Sequence, residues 1–402
     1  MPTLRLEANS EGGTTGHRHP LERLPVEIWT MIFVHSLPPT GCDIKQATIL
    51  PLHLSSVCNT FRAMAQTIPQ LWASFSLKSL DSGVKNKERL EGWIRHSRGR
   101  IVALHIQGPL TRKSTLGFVL PHIQHLEYLE IDGGPPANSF PAMQLHRLLR
   151  DASLLRHVSL ANFPDAWSPD HDKWTRRVDP FSCQLHAMCL NGSVSSWGLS
   201  HLLDFRSLES LSCLVEDDWD AHQAMDFILL ITEFWKCQLS HLKLATPGGN
   251  HAHPWYLCNM SSLLNSLASL THLEFSSPSV SIDHIALLTA LAGNQMYMWP
   301  RNRLPCPQLA TLDLTLAVPL HELAARQLQD WCTALFAMLS VRYQGARESP
   351  LRYLRLGYTP SSKTLPVQAL QRLWAYTMLK NWALAITVNS VNVASLYHVK
   401  LQ

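Results

Sequence analysis

The sequence predicts an α/β protein in which a short helical module precedes a long stack of strand-and-helix units. Three observations predict it. The apolar pattern LxxLxL, with its last position open to other apolar residues, recurs nine times between Ile101 and Leu356. Helix-period apolar stripes fill several of the gaps between instances, so strand and helix alternate along the chain. Ahead of them, between Leu21 and Phe75, lie two further helical stripes carrying more apolar side chains than so short a segment can bury alone.

Composition supports a folded, multi-unit chain. The 402 residues are 46% hydrophobic and 16% charged, enough to fill a large core and contrary to global disorder. A formal net charge of +4 is small for the length. The mild basic cluster Lys85, Lys87, Arg89, Arg95, Arg98 and Arg100 reads as a solvated face or linker, so no nucleic-acid partner is expected. The nine cysteines are scattered singly with no CxxC pair, which suggests neither a disulfide framework nor a zinc site. Met1 to Pro20 lacks the apolar core of a secretory signal. The longest apolar stretch, near Trp374 to Val388, is broken by Lys380 and Asn381 and falls short of a membrane span. The expectation is a cytoplasmic or nuclear protein with no membrane partner.

In chain order, residues 1–19 are polar and read as a disordered tail. The module at 20–75 opens on Leu24-Pro25, where proline suits a helix start because its missing N–H needs no partner there. Leu24, Ile28, Met31 and Ile32 form one stripe, which Pro38-Pro39-Thr40-Gly41 stops. A second helix runs through Leu52, Leu54, Ser55, Val57, Cys58, Phe61, Met64 and Ala65, and Ile68-Pro69-Gln70-Leu71-Trp72 punctuates it. The two halves, LPVEIWTMIFVHSLP and PLHLSSVCNTFRAMAQTIPQLWASFSL, resemble an F-box, in the form common among fungal F-box proteins. Phe61 stands where a tryptophan is usual, and the stretch from Pro38 to Pro51 is longer than in the compact form. The resemblance implies docking to a Skp-type adaptor, and through it to a cullin complex, by Leu24, Pro25, Ile28, Ile32, Phe33, Leu54, Val57, Cys58 and Phe61. A plain helical cap on the following stack is the competing reading.

Residues 76–100 read as a connecting segment and 101–402 as a solenoid with a C-terminal cap. The middle apolar residues of successive LxxLxL instances are 23 to 42 residues apart. One such unit cannot bury its apolar face, whereas stacked units share a continuous core. Helices are expected at Gln223 to Lys236 and His321 to Tyr343, a further one at Val367 to Ala385, and a capping strand at Val391 to Leu401. This region resembles leucine-rich repeat proteins, which implies an irregular leucine-rich-repeat horseshoe; Gly134 and Phe163 replace the usual asparagine of those repeats. Another β/α protein with leucine-rich strands is the alternative. Alternation along each strand sends the third and fifth positions of the pattern outward. The third reads Ala103, Tyr128, His157, Ala187, Ser210, His241, His272, Thr311 and Tyr353; the fifth reads His105, Glu130, Ser159, Cys189, Ser212, Lys243, Glu274, Asp313 and Arg355. From these, Tyr128, His157, His241, Lys243, His272, Glu274 and Tyr353 are the candidate contacts for an unknown protein substrate, their mixed charge favouring protein over nucleic acid.

Motifs of catalysis are not found: there is no GxSxG, GxxxxGK[ST], HExxH or GxGxxG. His251-Ala252-His253 and the acidic run Glu216 to Asp220 read as a solvated loop and a helix entry. Trp167, Trp174, Arg176 and Arg177 lie in a long insertion, which suits either binding or packing over the stack. No catalytic residue, metal or cofactor is expected. The function implied by the resemblance is substrate recognition in an SCF-type cullin–RING ubiquitin ligase. The alternative is an F-box-containing scaffold or regulatory protein acting without ubiquitination.

Overall fold

A computed structural model describes residues 24–39, 43–78, 83–108, 119–132, 148–161, 184–192, 203–215, 218–246, 259–277, 282–293, 304–316, 325–344, 351–358, 384–388 and 391–392. Among these residues the frame is one sheet of twelve strands lying side by side in chain order. The strands are β1 (Ser74–Lys78), β2 (Ala103–Gln107), β3 (Tyr128–Asp132), β4 (His157–Ala161), β5 (Ala187–Asn191) and β6 (Ser210–Leu214). They continue as β7 (His241–Ala245), β8 (His272–Ser277), β9 (Thr311–Leu316), β10 (Tyr353–Tyr358), β11 (Ala385–Val388) and β12 (Val391–Asn392). Strands β1 to β11 are parallel, and β12 closes the far edge antiparallel to β11.

Leucine spacing produces this order. Leu104, Leu129, Val158, Met188, Leu211, Leu242, Leu273, Leu312 and Leu354 stand opposite one another across the ladder and are all buried. A second buried row, Ile106, Ile131, Leu160, Leu190, Cys213, Leu244, Phe275, Leu314 and Leu356, lies two residues on. Each such side chain contributes roughly 1.5–3 kcal/mol through burial. Ahead of β3, β4, β6, β8 and β9 a tight turn aims the chain into its strand. There the first leucine of the pattern donates its N–H to the carbonyl three residues earlier, as in Leu155 N to Ala152 O (3.1 Å) and Leu270 N to Leu267 O (3.2 Å).

Helices α5 (Asp218–Glu233), α6 (Met260–Ser266), α7 (Ile282–Leu291) and α8 (Ala325–Gln344) occupy successive crossovers from β6 to β10, each packed on the next. The two helices expected here are present as α5 and α8. Trp331, Leu335, Met338, Leu339 and Arg342 are buried at helical intervals along α8. Ala385 belongs to strand β11 rather than to the end of a helix, and residues 367–383 lie outside the described set.

The N-terminal module comprises α1 (Val26–His35), α2 (Ile44–Val57), α3 (Asn59–Thr67) and a 3₁₀ turn at Pro69–Trp72. What the sequence suggests as one second helix is two, because Cys58 is extended (φ −158°, ψ 168°), its sulfur accepting the Phe61 N–H at 3.4 Å. The segment up to Pro51 is not a spacer. Asp43 caps α2 by accepting the Gln46 N–H (2.8 Å), and Ile44, Ala47, Thr48 and Pro51 form its buried face. Helix α4 (Gly83–His96) follows β1, so the expected connecting segment forms a strand–helix unit of the sheet. Trp72 binds these parts together: its indole donates to Ala65 O (2.8 Å) and its rings meet Trp93 at 4.7 Å and His96 at 4.5 Å.

Candidate interaction surfaces

Among the described residues two surfaces remain uncovered, one on the helical module and one on the sheet. On the module, Trp29, Phe33 and Phe61 form an aromatic triangle with centroids 5.0 to 5.9 Å apart. Phe33 and Phe61 are therefore buried as the module's own core, and Leu54 and Cys58 are half-buried against it. Ile28 is half-buried, while Leu24, Pro25, Ile32 and Val57 stand in solvent. Four more apolar side chains join them: Val26, Met31, Ile49 and Leu52. Of the ten exposed large hydrophobic residues among those described, seven fall between Leu24 and Val57. Exposed apolar patches of this kind are characteristic of interaction sites. Ile49 is legible only once α2 is known to begin at Ile44, five residues after Pro39.

The second surface is the sheet face opposite the leucine core. Strands β3 to β6 alternate between half-exposed and buried residues, with the third and fifth positions of the pattern outward as the spacing requires. Strand β2 departs from this. Ala103 and His105 are outward by position but fully buried, because α2 lies across β1 and β2 on that face. His105 Nδ1 pairs with the Ser76 hydroxyl (2.7 Å) and its Nε2 is 3.9 Å from Glu130 Oε1. Burial raises the Glu130 carboxyl above its ordinary pKa; Asp132 and Asp43 add to the rise and Lys45 opposes it. The open face accordingly begins at β3.

All seven candidate substrate contacts lie on this face and fall into two groups. Tyr128 and His157 stack across β3 and β4, with centroids 4.4 Å apart and planes 2° from parallel. Burial holds the His157 imidazole below its usual pKa, assisted by His186 and Arg156 and opposed by Glu127. Beyond β5 and β6, whose outward residues Ala187, Cys189, Ser210 and Ser212 are small, stands the second group. His241 stacks on His272 (5.4 Å, 22°), Lys243 pairs with Glu274, and Tyr353 is exposed on β10. Asp313 and Arg355, outside the candidate set, complete it: one Asp313 oxygen receives His272 Nε2 (3.2 Å) and Arg355 Nη1 (3.3 Å). Their shared fifth position in the pattern was the available signal.

No protein-family model matches the chain, and no curated protein matches it. Among the described residues, no three histidine, cysteine or acidic side chains converge as metal ligands, and no helix is long and apolar enough to cross a membrane. Burial pushes the thiols of Cys237 and Cys306 up to about 12, and that of Cys213 higher still, so all three stay protonated at neutral pH. His251, His253, Trp167, Trp174, Glu216 and Asp217 lie outside the described residues.

Proposed function

We propose that this chain is the substrate-recognition subunit of a cullin–RING ubiquitin ligase, and that it performs no chemistry itself. On this reading the helical module is an F-box that docks a Skp-type adaptor. The sheet is the inner wall of an irregular leucine-rich horseshoe, and its open face holds the protein to be modified. Such a subunit acts by raising the local concentration of substrate lysines near a ubiquitin-charged enzyme. The observation that carries the proposal is the crowding of exposed apolar side chains onto a module whose aromatic core is already complete. Supporting it are the two-part F-box-like motif and the chain-ordered parallel sheet with its leucine period.

Co-purification tests the reading. Combining Leu24→Ala, Ile32→Asp and Val57→Asp changes three exposed positions, so melting should stay within a few degrees while a Skp-type adaptor is no longer recovered. Phe33→Ala removes a buried ring instead and should cost about 3–5 kcal/mol. Undiminished adaptor recovery with the triple variant would sink the F-box assignment. A ubiquitin thioester on this chain, lost on reduction, would refute the non-catalytic role.

A further inference from the structure

The stretch of open face from β7 to β10 carries its charges in an ordered way. Lys243, Glu274, Asp313 and Arg355 occupy one row, directly opposite one another on successive strands. In each ion pair the cation is the more exposed partner: Lys243 at 46% over Glu274 at 31%, and Arg355 at 55% over Asp313 at 17%. Asp313 also holds His272, and its second oxygen, Oδ1, is shut off from solvent without a hydrogen bond. The carboxylates thus lie low and the cations stand above them. The row is neutral overall, but its two cations are its most exposed charges, flanked by the His241–His272 stack and by Tyr353.

We infer that this row is a preorganised cationic platform for an extended acidic segment of a partner protein, with two carboxylates four residues apart. The inference rests on the reading above that the open face captures a protein. The strands that carry Lys243 and Arg355 are three spacings apart, roughly 14 Å at the backbone. A single phosphate or carboxylate cannot span that distance. An extended peptide crossing the strands rises about 3.3 Å per residue and repeats its side every second residue, so positions i and i+4 are roughly 13 Å apart on one side. The carboxylates beneath limit the freedom of the cations before binding, which reduces the ordering cost of capture. Tyrosine and arginine are residue types that dominate interface energetics, and Tyr353 and Arg355 emerge side by side from β10. Intervening carboxylates in the same row disfavour a nucleic-acid backbone, whose charges are too closely spaced to avoid them.

The test is a selection of displayed random twelve-residue peptides on the immobilised full chain. Peptides with two Asp or Glu residues four apart should be enriched at least tenfold over those with the pair three or five apart. Lys243→Gln combined with Arg355→Gln should abolish that enrichment, with melting unchanged because both side chains are exposed. Enrichment without the four-residue spacing, or enrichment indifferent to the double variant, overturns the platform. A parallel selection on Tyr128→Ala with His157→Ala separates the two levels. Peptides lost only in that variant would leave the open face as the capture surface and remove the β7–β10 row from it. Failure to enrich any peptide on the full chain would count against both.

Discussion

Glu130 shows how one side chain records the junction of module and sheet. It stands at the first open strand, yet α2 brings Asp43 and Lys45 close enough to act on its carboxyl. Its folded pKa is raised, so the folded state favours the protonated form. Stability from that preference is complete below the unfolded pKa and is lost as pH rises through the folded one. Glu130→Gln should therefore match wild type in acid and become the more stable protein as pH climbs towards neutral. Denaturant melts across that range check it; a wild-type advantage at pH 7 would mean the Lys45 attraction outweighs burial. Arg342 is the opposite case, a guanidinium that burial holds below its ordinary pKa. It donates to Pro305 O (2.7 Å) and Cys306 O (3.3 Å), tying α8 to the turn that feeds β9. Arg342→Ala would leave a cavity and strip two buried carbonyls of this donor, costing about 3 kcal/mol in equilibrium unfolding.

Among the elements, the sheet's first edge is the one most in need of protection, since an open strand edge invites pairing with another chain. Trp93 of α4 covers it: its indole donates to Ser74 O (3.0 Å) while its ring packs on Phe75 (5.2 Å). Trp93→Phe keeps most of the packing but frees that carbonyl, so a modest loss of stability and increased concentration-dependent association are expected, readable by light scattering. Strand β1 also marks the limit of what the sequence reveals. Phe75 pairs with Leu104 and precedes it by one ordinary repeat length, but Trp72-x-x-Phe75-x-Leu77 spells the pattern with aromatics at its first two positions and reads more readily as the end of the helical module. The nine leucine-rich strands were legible because each repeats the same burial on the same side. The cover over His105 was not, because it depends on where α2 lands, a long-range contact that no local periodicity encodes. Likewise Val26 and Ile49 become visible as surface only when the helix faces that bury Phe33 and Pro51 are fixed.

At the scale of the whole molecule, each described strand pairs only with its neighbours in the chain, and α5 to α8 pack in the same sequence. Such an architecture is close to one-dimensional: stability is a sum of unit and neighbour contributions rather than a property of one shared centre. The N-terminal end is the exception, since α2 reaches across both β1 and β2 and binds module and sheet into one body. Damage should consequently spread along the stack and weaken with distance. Leu242 in β7 is fully enclosed between Leu211 and Leu273 of the adjoining strands. Leu242→Ala removes its burial and leaves a cavity, at a cost of about 3 kcal/mol. Amide hydrogen exchange should then quicken in β6, β7 and β8, while β1, β2 and the helical module keep their protection. If the proposed F-box reading holds, adaptor recovery should also survive, because the module's exposed face is remote from the lesion. A uniform fall in protection from β1 to β10 would instead mean the chain unfolds as a single cooperative unit, and the neighbour-by-neighbour account would be wrong.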